Sequence, residues 1–194
     1  MKFLIVGRTS TGKDTLANIL TYKYGWKFVK SMTTRPKRYP EEDTHVFISE
    51  EEANKIPQED RVSYTVINDY QYFATKKQVE ECDGYIIDPS GAYVLLDKMP
   101  DEEFYIIYIR PYDYQIQREK AISRSDDKEK EIKIFESRYS NECEQFENFE
   151  YVLDSYQIYK TYKNVKDAIQ YINIYDTDAT EYFAHTLNII KNFY

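Results

Sequence analysis

At 194 residues and 42% hydrophobic content, the chain is long enough to bury one full core, with room for inserted lobes. Its net charge of -8 argues against a general nucleic-acid surface, which needs many Lys and Arg side chains facing phosphates. No run approaches the ~20 apolar residues of a membrane span, and the start lacks the apolar segment and cleavage site of a secretory signal. A cytoplasmic protein with no membrane or nucleic-acid partner is therefore expected. Cys82 and Cys143 stand alone, without metal-ligand spacing, so neither a disulfide framework nor a zinc site is expected.

The apolar run Phe3-Leu4-Ile5-Val6 reads as a buried parallel strand. The pattern Gly7-x-x-x-x-Gly12-Lys13 follows directly, and helical periodicity begins at Thr15 and Leu16. Strand, glycine-bounded loop and helix in that order predict a phosphate cradle. Gly7 and Gly12 take backbone angles that other residues resist, letting successive N–H groups curl round an anion at a helix N-terminus. Gly7, Thr9, Ser10, Thr11, Gly12, Lys13, Asp14 and Thr15 are the candidate phosphate-binding residues, with Lys13 reaching the outer phosphates. Asp14 stands where this motif carries Ser or Thr for Mg²⁺. A carboxylate is a hard oxygen ligand, so Asp14 is a candidate magnesium ligand, the alternative being a first-turn charge that favours the helix dipole.

Trp26–Val29 reads as a short strand leading into a loop from Ser31 to Pro40 that two prolines and three basic side chains keep out of helix. Arg35 and Arg38 bracket Pro36, which stiffens the loop and offers two guanidinium groups to one phosphate; the alternative is a solvated basic loop. Arg61–Thr75 reads as two strands round an Asn68-Asp69 turn, and helical spacing runs from Thr75 to Glu81. Gly84–Asp88 is an apolar strand ending in an acid. Asp88 suits a magnesium-bound water at that strand edge, or caps the helix that begins near Ser90. Phe104–Ile109 is another buried strand, ended by Arg110-Pro111. A helix carrying Arg118 and a longer charged helix carrying Arg138 follow. Tyr151–Asp154 reads as the last parallel strand and Val165–Ile174 as a closing helix. Phe183, Leu187, Ile190 and Phe193 recur at helical spacing, which predicts a further amphipathic helix packed on its own chain.

The glycine-bounded loop, then Ser31-x-Thr33-Thr34-Arg35-x-x-Arg38, then His45-Val46-Phe47-Ile48-Ser49 resembles guanylate kinases, a branch of the P-loop nucleoside monophosphate kinases, from residue 2 to about residue 174. The resemblance implies a three-layer α/β P-loop NTPase fold with a parallel sheet. It implies a guanylate kinase-like domain over 1–174, with a monophosphate-binding lobe at about 31–75 and a lid at about 111–140, and leaves 175–194 as an additional C-terminal helix. It also implies transfer of the γ-phosphoryl group of ATP, with Mg²⁺, to a nucleoside or deoxynucleoside monophosphate, GMP and dGMP favoured, by a monomer or homodimer.

Carried over by position, the same resemblance assigns Ser31, Arg35 and Arg38 to the acceptor nucleotide, with His45 replacing a phosphate-binding tyrosine. Tyr72 and Thr75 would supply hydroxyls from the hairpin's second strand, and Tyr64 takes the place of the Glu that reads guanine. Asp88 serves metal or base. Lys13, Arg35, Arg124 and Arg138 would carry catalysis, the last two as lid arginines over the phosphoryl group in flight, with Arg118 a third lid candidate. Two other readings are a phosphoprotein-binding module on the same surface and a P-loop kinase of another phosphorylated acceptor.

Overall fold

The computed structural model describes residues 2–37, 39–67, 69–109, 114–123, 127–154, 181, 184, 185, 187–189, 191 and 192, with backbone only at 144 and 148–154. Arg38, Arg124, the Arg110-Pro111 pair and the expected helix at 165–174 lie outside the described residues, as do Asn68, Phe183, Ile190 and Phe193.

A parallel sheet forms the centre. Strand β1 (Lys2–Gly7) lies between β6 (Gly84–Ile86) and β7 (Phe104–Ile109), with Phe3 opposite Gly84 on one side and Tyr105 on the other. Every residue of β7 is buried, as are Phe3 to Gly7 of β1. Strands covered on both faces are apolar throughout, which is why these runs lack polar alternation. Residues 26–29 contribute one parallel bridge, Phe28 to Gly84, at the sheet edge instead of a full strand.

Helix α1 (Lys13–Tyr24) covers the sheet through Leu16, Ala17 and Leu20, and ends at Gly25, which takes the left-handed conformation at φ 71°. Helix α4 (Pro89–Lys98) starts on an Asp88 cap with proline at its first position, and buries Ala92 and Leu95 in the same core. Between α1 and β6 lies a second sheet of four strands, ordered β3 (Val46–Phe47), β2 (Met32–Thr33), β5 (Tyr70–Thr75) and β4 (Arg61–Ile67). The short helices α2 (Glu50–Asn54) and α3 (Lys76–Glu80) flank it, each opened by a capping box, Ser49 with Glu52 and Thr75 with Gln78.

The predicted hairpin is present as β4 and β5. Val62 pairs Ala74 and Thr65 pairs Tyr72, so Ser63 and Tyr64 together face Phe73 in a β-bulge.

After β7, α5 (Tyr114–Ile122) leads to α6 (Lys128–Asp154). The expected strand at Tyr151–Asp154 is corrected here, because α6 continues as helix through Asp154. No Gly or Pro interrupts 128–154, and an established helix gains one hydrogen bond for each residue added. A four-residue apolar run cannot outweigh that continuation without a strand neighbour.

Near the chain's end, Ala184 and Leu187 are buried in the main core. Asn188 Oδ1 accepts from Trp26 Nε1 at 3.3 Å, and Lys191 pairs with Asp83 at 2.8 Å, so the described C-terminal residues pack in cis. Among the described residues no helix is long and apolar enough to cross a membrane.

Candidate active site

The loop between β1 and α1 is built as its glycines require, though for two different reasons. A Cβ on Gly7 would lie 2.8 Å from both the Ile109 carbonyl oxygen and Thr11 Oγ1, so space decides that position. Gly12 sits at φ 91°, where only glycine is comfortable. Ser10 is also left-handed, at φ 61°, and its buried Oγ has no partner among the described residues. Thr11 Oγ1 donates to the Arg8 carbonyl at 2.9 Å, and no side chain caps the first turn of α1. Lys13 Nζ donates to the carbonyls of Gly7 (2.6 Å) and Arg8 (2.7 Å), which holds its cation against the loop. Asp14 and Thr15 are exposed on the first turn of α1.

Helix α6 reaches this loop with residues that no sequence motif flagged. Thr9 N donates to Glu142 Oε2 at 2.9 Å, Arg8 donates to Cys143 Sγ at 3.3 Å, and the Arg8 guanidinium lies over the rings of Tyr139 and Phe146. From α5, Gln117 Nε2 donates to the Thr9 carbonyl at 2.8 Å. Only a helical-wheel alignment of Tyr139, Glu142, Cys143 and Phe146 carries a trace of this face, and it does not name the partner.

In the loop after β2, Arg35 forms a fork against the buried Glu42, Nη2 to Oε1 at 2.8 Å and Nη1 to Oε2 at 3.2 Å, with Phe47 beneath at 5.1 Å. Thr44 also donates to Glu42, at 3.1 Å. This pairing raises the Arg35 guanidinium further above its ordinary value, chiefly through the Glu42 hydrogen bonds. The buried Arg35 Nε has no partner among the described residues. His45 stands edge-on to Tyr72, ring centroids 5.7 Å apart.

Arg35, His45, Tyr72, Arg138, Glu142 and Gln145 line one cavity of about 540 Å³. Glu142 and Gln145 also line a neighbouring cavity with Gly7, Lys13 and Asp88, so the two predicted anion cradles open onto one another. Of the four side chains predicted as catalytic, Lys13 lines one of these cavities and Arg35 and Arg138 the other; the fourth, Arg124, is outside the described residues. Arg118 is directed elsewhere, its Nε lying 3.5 Å from Glu136.

The remaining predicted residues divide. Ser31, Tyr72 and Asp88 line an inner cleft of about 200 Å³. Tyr64 does not; it is partly exposed and packs against the Phe73 ring at 6.3 Å. Side chains alternate along a strand, and it is Ser63, Thr65 and Ile67 that turn to the cleft. Thr75 is likewise engaged elsewhere, its hydroxyl accepting from Gln78 N at 3.3 Å as the cap of α3. Asp88 takes the capping role, Oδ1 accepting from Gly91 N at 2.9 Å, and the residue also borders the cleft.

Against known proteins, the guanylate kinase family model matches residues 1–172. Guanylate kinase of Thermotoga maritima is 26% identical over 180 residues, covering 88% of this chain and 83% of that relative. The crystal structure of guanylate kinase from Anaplasma phagocytophilum aligns with a TM-score of 0.52 at 16% identity, over 98% of this chain and 85% of the other, a likeness of fold. With a glycine-bounded loop on a parallel sheet and a match running through nine-tenths of its length, the chain belongs to the guanylate kinase family and has the α/β P-loop NTPase fold.

Proposed function

We propose that this protein transfers the γ-phosphoryl group of ATP to a nucleoside or deoxynucleoside monophosphate, with GMP and dGMP among its acceptors. The observation that carries this reading is the junction of two anion-binding ends through Glu142 and Gln145: loop amides and Lys13 on one side, Arg35, His45, Tyr72 and Arg138 on the other. Phosphoryl transfer asks for alignment and charge stabilisation more than for a strong base, and this cleft supplies cations at both ends. The loop amides and Lys13 bind the donor phosphates. Arg35 and Arg38 grip the acceptor phosphate, with His45 and Tyr72 beside it. Arg138 and Arg124 cover the group in transit, and closure of the lobe and lid excludes water.

Among the described residues there is no cluster of three or more His, Cys, Asp or Glu side chains placed to hold a metal. Mg²⁺ in such enzymes needs only one or two carboxylates beside phosphates and water, and exposed Asp14, next to Lys13, fits that requirement. Asp88 fits less well, because its Oδ1 already accepts from Gly91 N and from Gln145 Nε2 at 3.2 Å. The chemistry supplied by the bound ion is neutralisation of charge on the β- and γ-phosphates.

A binding module would have no use for Lys13 and its loop. The test is therefore ADP release from ATP and Mg²⁺ in a coupled assay, run with and without each of GMP, dGMP, AMP, CMP, UMP and dTMP. Release that depends on an added monophosphate is expected. No dependence on any of them counts against the kinase reading.

A further inference from the structure

Behind the acceptor cavity lies the inner cleft, which shares His45, Tyr72 and Ile67 with it. A monophosphate held at Arg35 can place its base in this compartment, so the inference rests on the kinase reading above. The cleft is edged by aliphatic Ile67, Ile86 and Ile87, suited to the face of a planar ring. Its polar lining includes, beside His45, Thr65, Tyr72 and Asp88, a chain of three hydroxyls. Tyr85 Oη, on β6, lies 2.8 Å from Ser31 Oγ and 2.8 Å from Ser63 Oγ.

Ser63 occupies the bulge of β4 at φ 57°, a left-handed conformation that is unfavourable for a non-glycine residue. The bond to Tyr85 offsets part of that cost and aims the hydroxyl inward.

A hydroxyl carries one proton and can accept through its lone pairs. Three hydroxyls hold three protons, and the two links between them use two. One proton therefore remains to be donated to a ligand. It leaves from Ser63 when the chain runs Ser31 to Tyr85 to Ser63, from Ser31 when it runs the other way, and from Tyr85 when both serines donate to the phenol. Burial pushes the Tyr85 phenol above its ordinary value, the two serine bonds act against that and Asp88 adds to it, so the phenol keeps its proton at neutral pH. Among the described residues no Lys, Arg, Asn or Gln lines the compartment to fix the direction; His45, Thr65 and Tyr72 line it as well, and the carboxylate there, Asp88, has one oxygen committed to Gly91 and Gln145.

Nucleobase edges come in two polarities. Guanine, uracil and thymine present a ring N–H beside a carbonyl; adenine and cytosine present an amino group beside a ring nitrogen. A wall of fixed donors and acceptors rejects the wrong polarity by about 10⁴-fold or more, because buried polar groups are then left unpaired. We propose that the Ser31–Tyr85–Ser63 chain reads the base edge and reverses its hydrogen-bond direction to suit either polarity, so that keto-base and amino-base monophosphates are both accepted.

The deciding measurement is kcat/KM of the full chain for GMP against AMP, two purines with opposite edges. The expected ratio is within about tenfold in either direction. A larger preference overturns the proposal and leaves the kinase reading standing, whereas no turnover with any monophosphate defeats the kinase reading itself. In that event calorimetric titration with GMP and AMP decides: comparable binding of both supports the chain's role, and binding of one alone or neither overturns it. Ser63→Asp places an acceptor-only group at one end and locks the direction, so the GMP-to-AMP ratio should rise about tenfold or more. An unchanged ratio in a variant with the parent's melting profile overturns the proposal. Should that variant not fold, the ratio of the unaltered chain still decides.

Discussion

Arg35 is neither a free phosphate hook nor a solvated loop charge, because Glu42 holds both its terminal nitrogens while Nε stays unbonded among the described residues. Glu42 is almost fully buried, so deleting its carboxylate leaves a guanidinium without its counter-charge in a low-dielectric setting. Glu42→Ala should therefore cost about 3–5 kcal/mol, read from urea unfolding, the range seen when one partner of a buried pair is lost. A loss below about 1 kcal/mol would show the pair to be an ordinary surface bridge. Lys13 tells a complementary story at the donor end. Its ammonium rests on two loop carbonyls, so its position is prepared before any phosphate arrives. Lys13→Met should lower kcat/KM about 100-fold or more, on the scale of removing a preorganised charge contact. Near-parental turnover would place the donor site elsewhere.

Among the elements, the C-terminal helical residues are the ones whose attachment can be tested directly. Leu187 is fully buried in the core shared by α1 and β1. Leu187→Ala should destabilise the protein by about 2–5 kcal/mol, measured by calorimetry; a negligible change would mean that this segment does not belong to the core.

Its outer edge is held by Asp83, which accepts from Lys191 and from the Lys27 amide at 2.8 Å. Burial raises the Asp83 pKa, yet those two bonds outweigh it and the net shift is downward. A depressed carboxylate contributes stability above its unfolded value of about 4, and that contribution is lost as pH falls through the folded value. Trp26, the sole tryptophan, lies 4.9 Å from Lys191 Nζ and reports the change. Its fluorescence should shift on acidification below pH about 4, and Asp83→Asn should show the shifted signal already at neutral pH. Superimposable acid titrations of the two proteins would remove Asp83 from this role.

Across the whole molecule, α6 ties the two ends of the cleft together. Arg138 and Glu142 line the cavity that holds Arg35 and His45, and Glu142 also occupies the Thr9 amide of the glycine-bounded loop. A nucleotide phosphate and this carboxylate compete for the same donor, so ATP binding should be coupled to withdrawal of Glu142 and movement of α6. At an effective dielectric near 20, a like charge several ångströms away contributes on the order of 1–4 kcal/mol. Glu142→Ala should accordingly tighten Mg-ATP binding about tenfold by calorimetry, and an equal or weaker affinity would exclude the competition.

What sequence alone determined is whatever depends on neighbours in the chain. The loop from Gly7 to Lys13, the runs Phe3–Val6 and Phe104–Ile109, the hairpin at 61–75 and the Asp88 cap all follow from glycine spacing, apolar continuity or capping chemistry within a few residues. Tertiary structure decided the rest. Which of Ser63 and Tyr64 faces the cleft depends on strand pairing, where a one-residue slip exchanges the two faces. Whether Thr75 meets a ligand or caps a helix, whether Tyr151–Asp154 joins a sheet or prolongs α6, and which acid enters the phosphate loop depend on partners 3 to more than 100 residues away. Local pattern carries propensity; only the assembled core supplies the partner that decides between two locally acceptable states.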